Sequence, residues 1–147
     1  MPDVNGIPGD GEWFLAAGRS SMIRARRNLL PLAVDSGLSE RVVVAWQCRA
    51  PLDSGLPSAA DYEELAQFEE LLVRFFEYGA ILAFVITQDG SANLNFYTSS
   101  QDWFLERLND ALADKPVMPI ELSGAEDPDW SEYRAVLEAI GMGDSTR

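Results

Sequence analysis

The chemistry open to this chain is limited first by what it lacks. There is no histidine among its 147 residues. The commonest general base and metal ligand are therefore missing, and with them Ser-His-Asp and Cys-His catalysis. Cys48 is the single cysteine, so no structural zinc site can be assembled from thiolates and imidazoles, and no intrachain disulfide can form. Cys48 shares a strand face with Val42, Val44 and Trp46, which makes it a small core residue rather than a nucleophile. No P-loop or G-x-G-x-x-G is present. Gly6, Gly9 and Gly11 cluster, but no strand precedes them, so they carry no phosphate-binding meaning.

Carboxylates are the most plentiful remaining groups. The densest set is Glu126, Asp127 and Asp129. Its position before a helix pattern reads as capping and favourable charge at a helix N-terminus. Glu63-Glu64 and Glu69-Glu70 are adjacent on a helix, so the members of each pair diverge. No metal ion and no cofactor are expected. Against the acidic background stands a basic cluster, Arg24, Arg26 and Arg27 with Asn28. Arginines on a strand can grip a phosphate or carboxylate through paired hydrogen bonds; salt bridging to the chain's own acids is the other use. Of the aromatic residues Trp13, Trp46, Tyr97, Trp103, Trp130 and Tyr133, most are expected in the core. Trp103 and Trp130 sit near helix starts, where a partner could use them as anchors.

The formal net charge is −13. Residues 1–49 carry six arginines against five acids, whereas residues 50–147 carry five basic groups against nineteen acids. Such a surface repels nucleic acid and anionic membranes. It serves solubility, and it can steer a basic protein partner.

These residues must be positioned by elements whose order is legible. Residues 1–11 form a glycine- and proline-rich lead-in, residues 12–140 a single domain and residues 141–147 a tail. The start does not resemble a signal peptide, and a cytoplasmic location is expected, in keeping with the lone cysteine. Glu12 to Ala17 and Ser21 to Leu30 flank a turn at Gly18-Arg19-Ser20 and read as a hairpin. Arg41 to Ala50 alternates as a strand. Ser58 opens a helix to about Glu77, with Asp61 completing a short-acid capping box. Leu65, Phe68, Leu72, Phe75 and Phe76 form its buried stripe, Glu63, Gln67, Glu70, Arg74 and Glu77 its wet face. Gly79 is expected to end it at positive φ. Ile81 to Thr87 is apolar enough for the inside of a sheet. Asp89-Gly90 signals a hairpin into Asn93 to Thr98. Ser99 or Ser100 caps a helix through about Ala113. Val117 to Leu122, with Pro119, reads as an edge strand. Asp127 and Pro128 open a last helix that stops before Gly141. The fold class is therefore α+β. It has a ferredoxin-like βαββαβ core, an antiparallel sheet with helices on one face, plus an N-terminal β-hairpin and a C-terminal helix. The hairpin is expected to pair beside the Ile81 strand and cover it.

Several short motifs, taken in order, resemble the bacterial family known as domain of unknown function 695. They are Trp13, Arg26-Arg27-Asn28, Gly55-Leu56-Pro57-Ser58, Thr87-Gln88-Asp89-Gly90 into Asn95-Phe96-Tyr97-Thr98, and Asp127-Pro128-Asp129-Trp130-Ser131-Glu132-Tyr133. The resemblance spans about residues 12–138. It implies an α+β domain, often a stand-alone protein, with no catalytic residues to carry over. Relatives joined to a domain similar to the ribonuclease E inhibitor imply a regulatory binding role.

Two functional readings follow. The first is a non-enzymatic acidic binding protein, an inhibitor or immunity-type protein that neutralises a basic toxin or nuclease through Glu63, Glu70, Glu77 and Trp103. The second is a small-ligand or phosphate-binding enzyme with a pocket lined by Arg26, Arg27, Asn28 and Tyr97. A homodimer joined through an edge strand is a third.

Overall fold

The computed structural model describes residues 13–26, 29, 37–76, 79–115 and 119–140. Arg27, Asn28 and Glu77, three of the expected site residues, lie outside them. In chain order the elements are β1 (Trp13–Ala17), β2 (Ser21–Arg26), β3 (Glu40–Gln47), α1 (Ala59–Phe76), β4 (Ala80–Gln88), β5 (Ser91–Thr98), α2 (Gln101–Leu112), β6 (Ile120–Glu126) and α3 (Ser131–Ala139). The strands form one antiparallel sheet in the order β1-β2-β4-β5-β3-β6. The fold is α+β. The β1–β2 hairpin docks on β4, through pairs such as Ile23–Ile86, so the apolar β4 is interior, as its composition requires.

Helices α1 and α2 lie on one face. Leu65, Phe68, Leu72 and Phe76 of α1 and Phe104 and Leu108 of α2 pack on Val42, Val44, Trp46, Leu94 and Phe96. Phe76 and Phe104 stack at 4.1 Å between ring centroids, and Phe96 meets each edge-on at 5.2 Å. The C-terminal helix α3 covers the opposite face, where Trp130, Tyr133, Val136 and Leu137 pack with Ala25, Ile81, Phe84 and Tyr97. The layers are thus helix pair, sheet, single helix. β4 is apolar on both sides and needs cover on both. A register shift between Leu82 and Phe84 resets its alternation, as a bulge does, so Ala83 and Phe84 both serve the α3 side.

Local signals behave largely as their chemistry dictates. Asp89 and Gly90 both have positive φ, 52° and 80°, the left-handed pair of a tight hairpin turn. The Asp61 N–H donates to Ser58 Oγ at 3.3 Å and Asp61 Oδ2 accepts from the Ser58 N–H at 3.4 Å, completing the capping box. Asp61 also accepts from the N–H groups of Arg49 and Ala50 at 2.9 and 3.1 Å. That explains why β3 stops at Gln47 rather than Ala50: those two donors turn to a carboxylate instead of a neighbouring strand. Ser100 caps α2, accepting from the Trp103 N–H at 3.1 Å.

Three expectations are corrected. Gly79 does not take positive φ; among the described glycines that region holds Gly37, Gly55 and Gly90. Glycine is needed at 79 because a Cβ there would overlap the Trp103 ring. The edge strand runs from Ile120 to Glu126, later than expected, with the Pro119 carbonyl accepting from the Gln47 N–H at 2.8 Å just before it. The last helix begins at Ser131, not Pro128. Asp127 to Trp130 is a turn closed by the Trp130 N–H on the Asp127 carbonyl at 3.0 Å, with Pro128 in its favoured second place.

Candidate functional site

The Asp127 motif is a buried structural node. Asp127 Oδ1 accepts from the N–H and Oγ of Ser131, both at 2.7 Å, and Oδ2 from the Glu132 N–H at 3.1 Å. It therefore caps α3 from four residues back, although Trp130 is the formal cap residue. Oδ2 also accepts from the Tyr97 hydroxyl at 2.6 Å. Burial alone would raise the Asp127 pKa, but the hydrogen bonds from Tyr97, Ser131 and Glu132 outweigh it and hold the carboxyl below its ordinary value. Tyr97 is fully buried. Burial first, then the Asp127 carboxylate, pushes its hydroxyl pKa far above the usual tyrosine range.

Trp130 adopts φ 55°, a conformation uncommon for a bulky side chain. The surroundings hold it there. Its indole N–H donates to the Leu38 carbonyl at 2.8 Å. Its ring stacks on Tyr97 at 4.0 Å and meets Tyr133 edge-on at 5.7 Å. Tyr133 donates its hydroxyl proton to the Arg26 carbonyl, and burial pushes its pKa up to about 12. Trp130 is thus a core residue and no exposed anchor. Glu126 and Asp129 are exposed and point away from this node. Among the described residues no group of three or more acids and cysteine is placed to hold a metal ion.

Of the residues expected to line an arginine pocket, Arg27 and Asn28 lie outside the described residues, and Arg26 and Tyr97 lie on opposite faces of the sheet. Tyr97 sits on the α3 face of the sheet. The Arg26 side chain follows Ala25, an α3-face residue, and so points to the other face, where its guanidinium lies 5.1 Å from the Trp13 ring. The structure does bring Arg41 near the node: its Nη1 donates to Asn95 Oδ1 at 2.8 Å, and its Nε lies 3.9 Å from Asp127 Oδ2. That pairing is not legible in the sequence, because the β3–β6 register brings Arg41 and Asp127 together from distant parts of the chain. A groove of about 520 Å³ runs beside α1, lined by Met22, Leu65, Ala66 and Val73 with Arg24 and Arg74 at its rim. Both cations already face carboxylates, Arg24 on Glu69 at 2.6 Å and Arg74 on Glu70 at 3.8 Å.

The acids of the helix layer differ between its two helices. On α1, Glu64, Glu69 and Glu70 are matched by Arg49, Arg24 and Arg74, while Glu63 is exposed with no ion pair among the described residues. On α2, Asp102, Glu106 and Asp110 are all exposed, stand four residues apart, and have no ion pair among the described residues. The one cation of that helix, Arg107, turns away: it donates to the Phe75 carbonyl at 2.7 and 3.2 Å. Like charges at this spacing repel, and acid at the C-terminal end of a helix opposes its dipole. The row is legible in the sequence as an i, i+4 repeat of acids. Trp103 is half-buried, packed on Phe76 at 5.9 Å between centroids and over Gly79.

Cys48 is half-buried, and burial, then the charge of Asp61, raises its thiol pKa, which suits a packing role over a nucleophilic one. No helix among the described residues is long and apolar enough to cross a membrane. Residues 16–137 match a family of unknown function, DUF695, and no curated protein matches the chain.

Proposed function

The chain belongs to the DUF695 family, and from that footing we propose that it is a non-enzymatic, cytoplasmic binding protein that neutralises a basic protein partner, as an inhibitor or immunity protein does. The observation that carries this reading is the α2 row of Asp102, Glu106 and Asp110, exposed and without cations among the described residues. Its spacing and the charge of Asp110 near the C-terminal end cost the helix some stability, while Asp102 in the first turn favours it, and a gain in binding would offset the cost. Charge complementarity to a basic surface supplies one, through faster encounter. Glu63 extends the same field from α1, with Glu70 tempered by Arg74.

The test is to capture the partner on the immobilised chain and follow association against salt. Reversing D102K, E106K and D110K together should slow association by about tenfold or more at low ionic strength while leaving thermal unfolding intact. E63K with E70K should do less. An acidic partner, or an association rate indifferent to the α2 reversal, sinks the reading.

A further inference from the structure

We propose that the partner presents an extended segment that adds to the outer edge of β6 as a seventh strand, lying beside α2. This rests on the reading of the chain as a binder of a basic partner and specifies the form of contact.

β6 is the terminal strand of the sheet. Its hydrogen-bond phase is fixed by two bonds flanking it, Gln47 N–H to the Pro119 carbonyl and Asp127 N–H to the Ser39 carbonyl, both 2.8 Å. In an antiparallel pair such bonded positions alternate. Glu121, Ser123 and Ala125 therefore spend their backbone groups on β3, in register with Ala45, Val43 and Arg41. Ile120, Leu122, Gly124 and Glu126 turn theirs outward, with no partner among the described residues. A row of unpaired donors and acceptors is a template for another strand.

The side chains define what would fit. Outward-bonding residues carry their side chains on the α1–α2 face, since Ile120 packs with that core. The side chain of Gln101, at the start of α2, lies over Gly124. β5 and β6 run the same way, so the helix joining them runs back along β6. The four residues from Gln101 to Leu105 carry α2 about 6 Å and two residues carry β6 about 6.6 Å, which brings Leu105 level with Leu122. These are 40% and 41% exposed, an apolar strip between strand edge and helix. Acid frames the strip. Glu121 projects on the far face, Glu126 stands directly across from Glu40, a like-charge pair that a cation would relieve, and Asp102 and Glu106 line the helix above. A segment alternating apolar residues with lysine or arginine matches both features. A second copy fits worse, because it would join Glu121 and Glu126 of two chains each carrying −13 in one ladder.

The probe is a labelled heptapeptide of alternating lysine and valine, titrated onto the whole chain by fluorescence anisotropy and by amide exchange. On saturation the Leu122, Gly124 and Glu126 amides should exchange about tenfold more slowly, while Glu121, Ser123 and Ala125, already bonded to β3, change little. Leu122→Pro removes an outward donor without touching the β3 ladder and should weaken binding about tenfold. If that variant misfolds, Leu122→Lys, which sets a cation in the strip, should weaken it as well. Binding without protection at β6, unchanged affinity in both Leu122 variants, or no binding at any salt overturns strand addition. If binding still weakens in the α2 triple reversal, the acidic-layer reading survives that failure; if neither set of variants matters, both fall.

Discussion

Replacing Asp127 by alanine removes a carboxylate that serves two elements at once. The helix loses the acceptor for the Ser131 and Glu132 N–H groups, a lost cap worth about 1 kcal/mol. The Tyr97 hydroxyl, fully buried, loses its acceptor, and an orphaned buried donor costs about 1–3 kcal/mol more. The expected destabilisation is therefore about 3 kcal/mol, well above the figure for a cap alone. For a domain of this size that lowers Tm by about 10 °C. Urea unfolding of D127A, Y97F and the double variant separates the parts. In the Y97F background no donor is stranded, so D127A should cost only about 1 kcal/mol, a coupling of about 2 kcal/mol. The pH dependence carries a matching sign. The folded Asp127 pKa is depressed, so its stabilisation is complete above the unfolded carboxylate value of about 3.9 and is lost as pH falls below that toward the folded value. D127N should flatten that acid limb relative to wild type. A cost of D127A below about 1 kcal/mol, or equal costs in both backgrounds, refutes the reasoning.

The other predictions rest on separate features. Gly79→Ala should destabilise by about 1–3 kcal/mol through overpacking against the Trp103 ring, and trimming Trp103 to leucine should recover part of that loss; equal stability of Gly79→Ala and wild type by urea titration would refute the contact. The folded Tyr133 pKa is raised to about 12. Its contribution is therefore full below the unfolded tyrosine value of about 10 and is lost as pH rises from there through about 12. Alkaline unfolding of Tyr133→Phe should be the shallower, and identical limbs would count against a buried neutral phenol. The α2 charge reversal and the β6 amide-exchange pattern complete the set.

Much of the fold was local in origin and so legible along the chain. The Ser58–Asp61 box, the Asp89-Gly90 turn, the Ser100 cap and the stripe Leu65, Phe68, Leu72 and Phe76 depend on residues a turn apart, and their periods and turn chemistry specify them. Even the interior place of β4 was implied by apolar residues on both of its faces, which demand two neighbours and two covers. Functional placement was less accessible. Arg26 and Tyr97 are separated by a sheet that sequence cannot draw, and the parity of one register decides which face each side chain takes. Gly79 ends the helix for a reason the local sequence does not show, because the Trp103 ring that excludes a Cβ arrives from another helix.

Composition and spacing by themselves determined the acidic surplus, the absence of imidazole chemistry, the element order and the α+β class, since each depends on residue type and short-range period. Tertiary structure alone decided that Asp127 ties a strand tyrosine to α3 and that Glu64 and Glu69 of α1 meet Arg49 and Arg24 from elsewhere in the chain, while Asp102, Glu106 and Asp110 of α2 have no ion pair among the described residues. It also decided that β6 ends the sheet, with the backbone groups of Ile120, Leu122, Gly124 and Glu126 turned away from β3. These are long-range pairings: strand register and helix face bring together groups tens of residues apart, and burial then changes what a hydroxyl, a carboxylate or an unpaired N–H is worth.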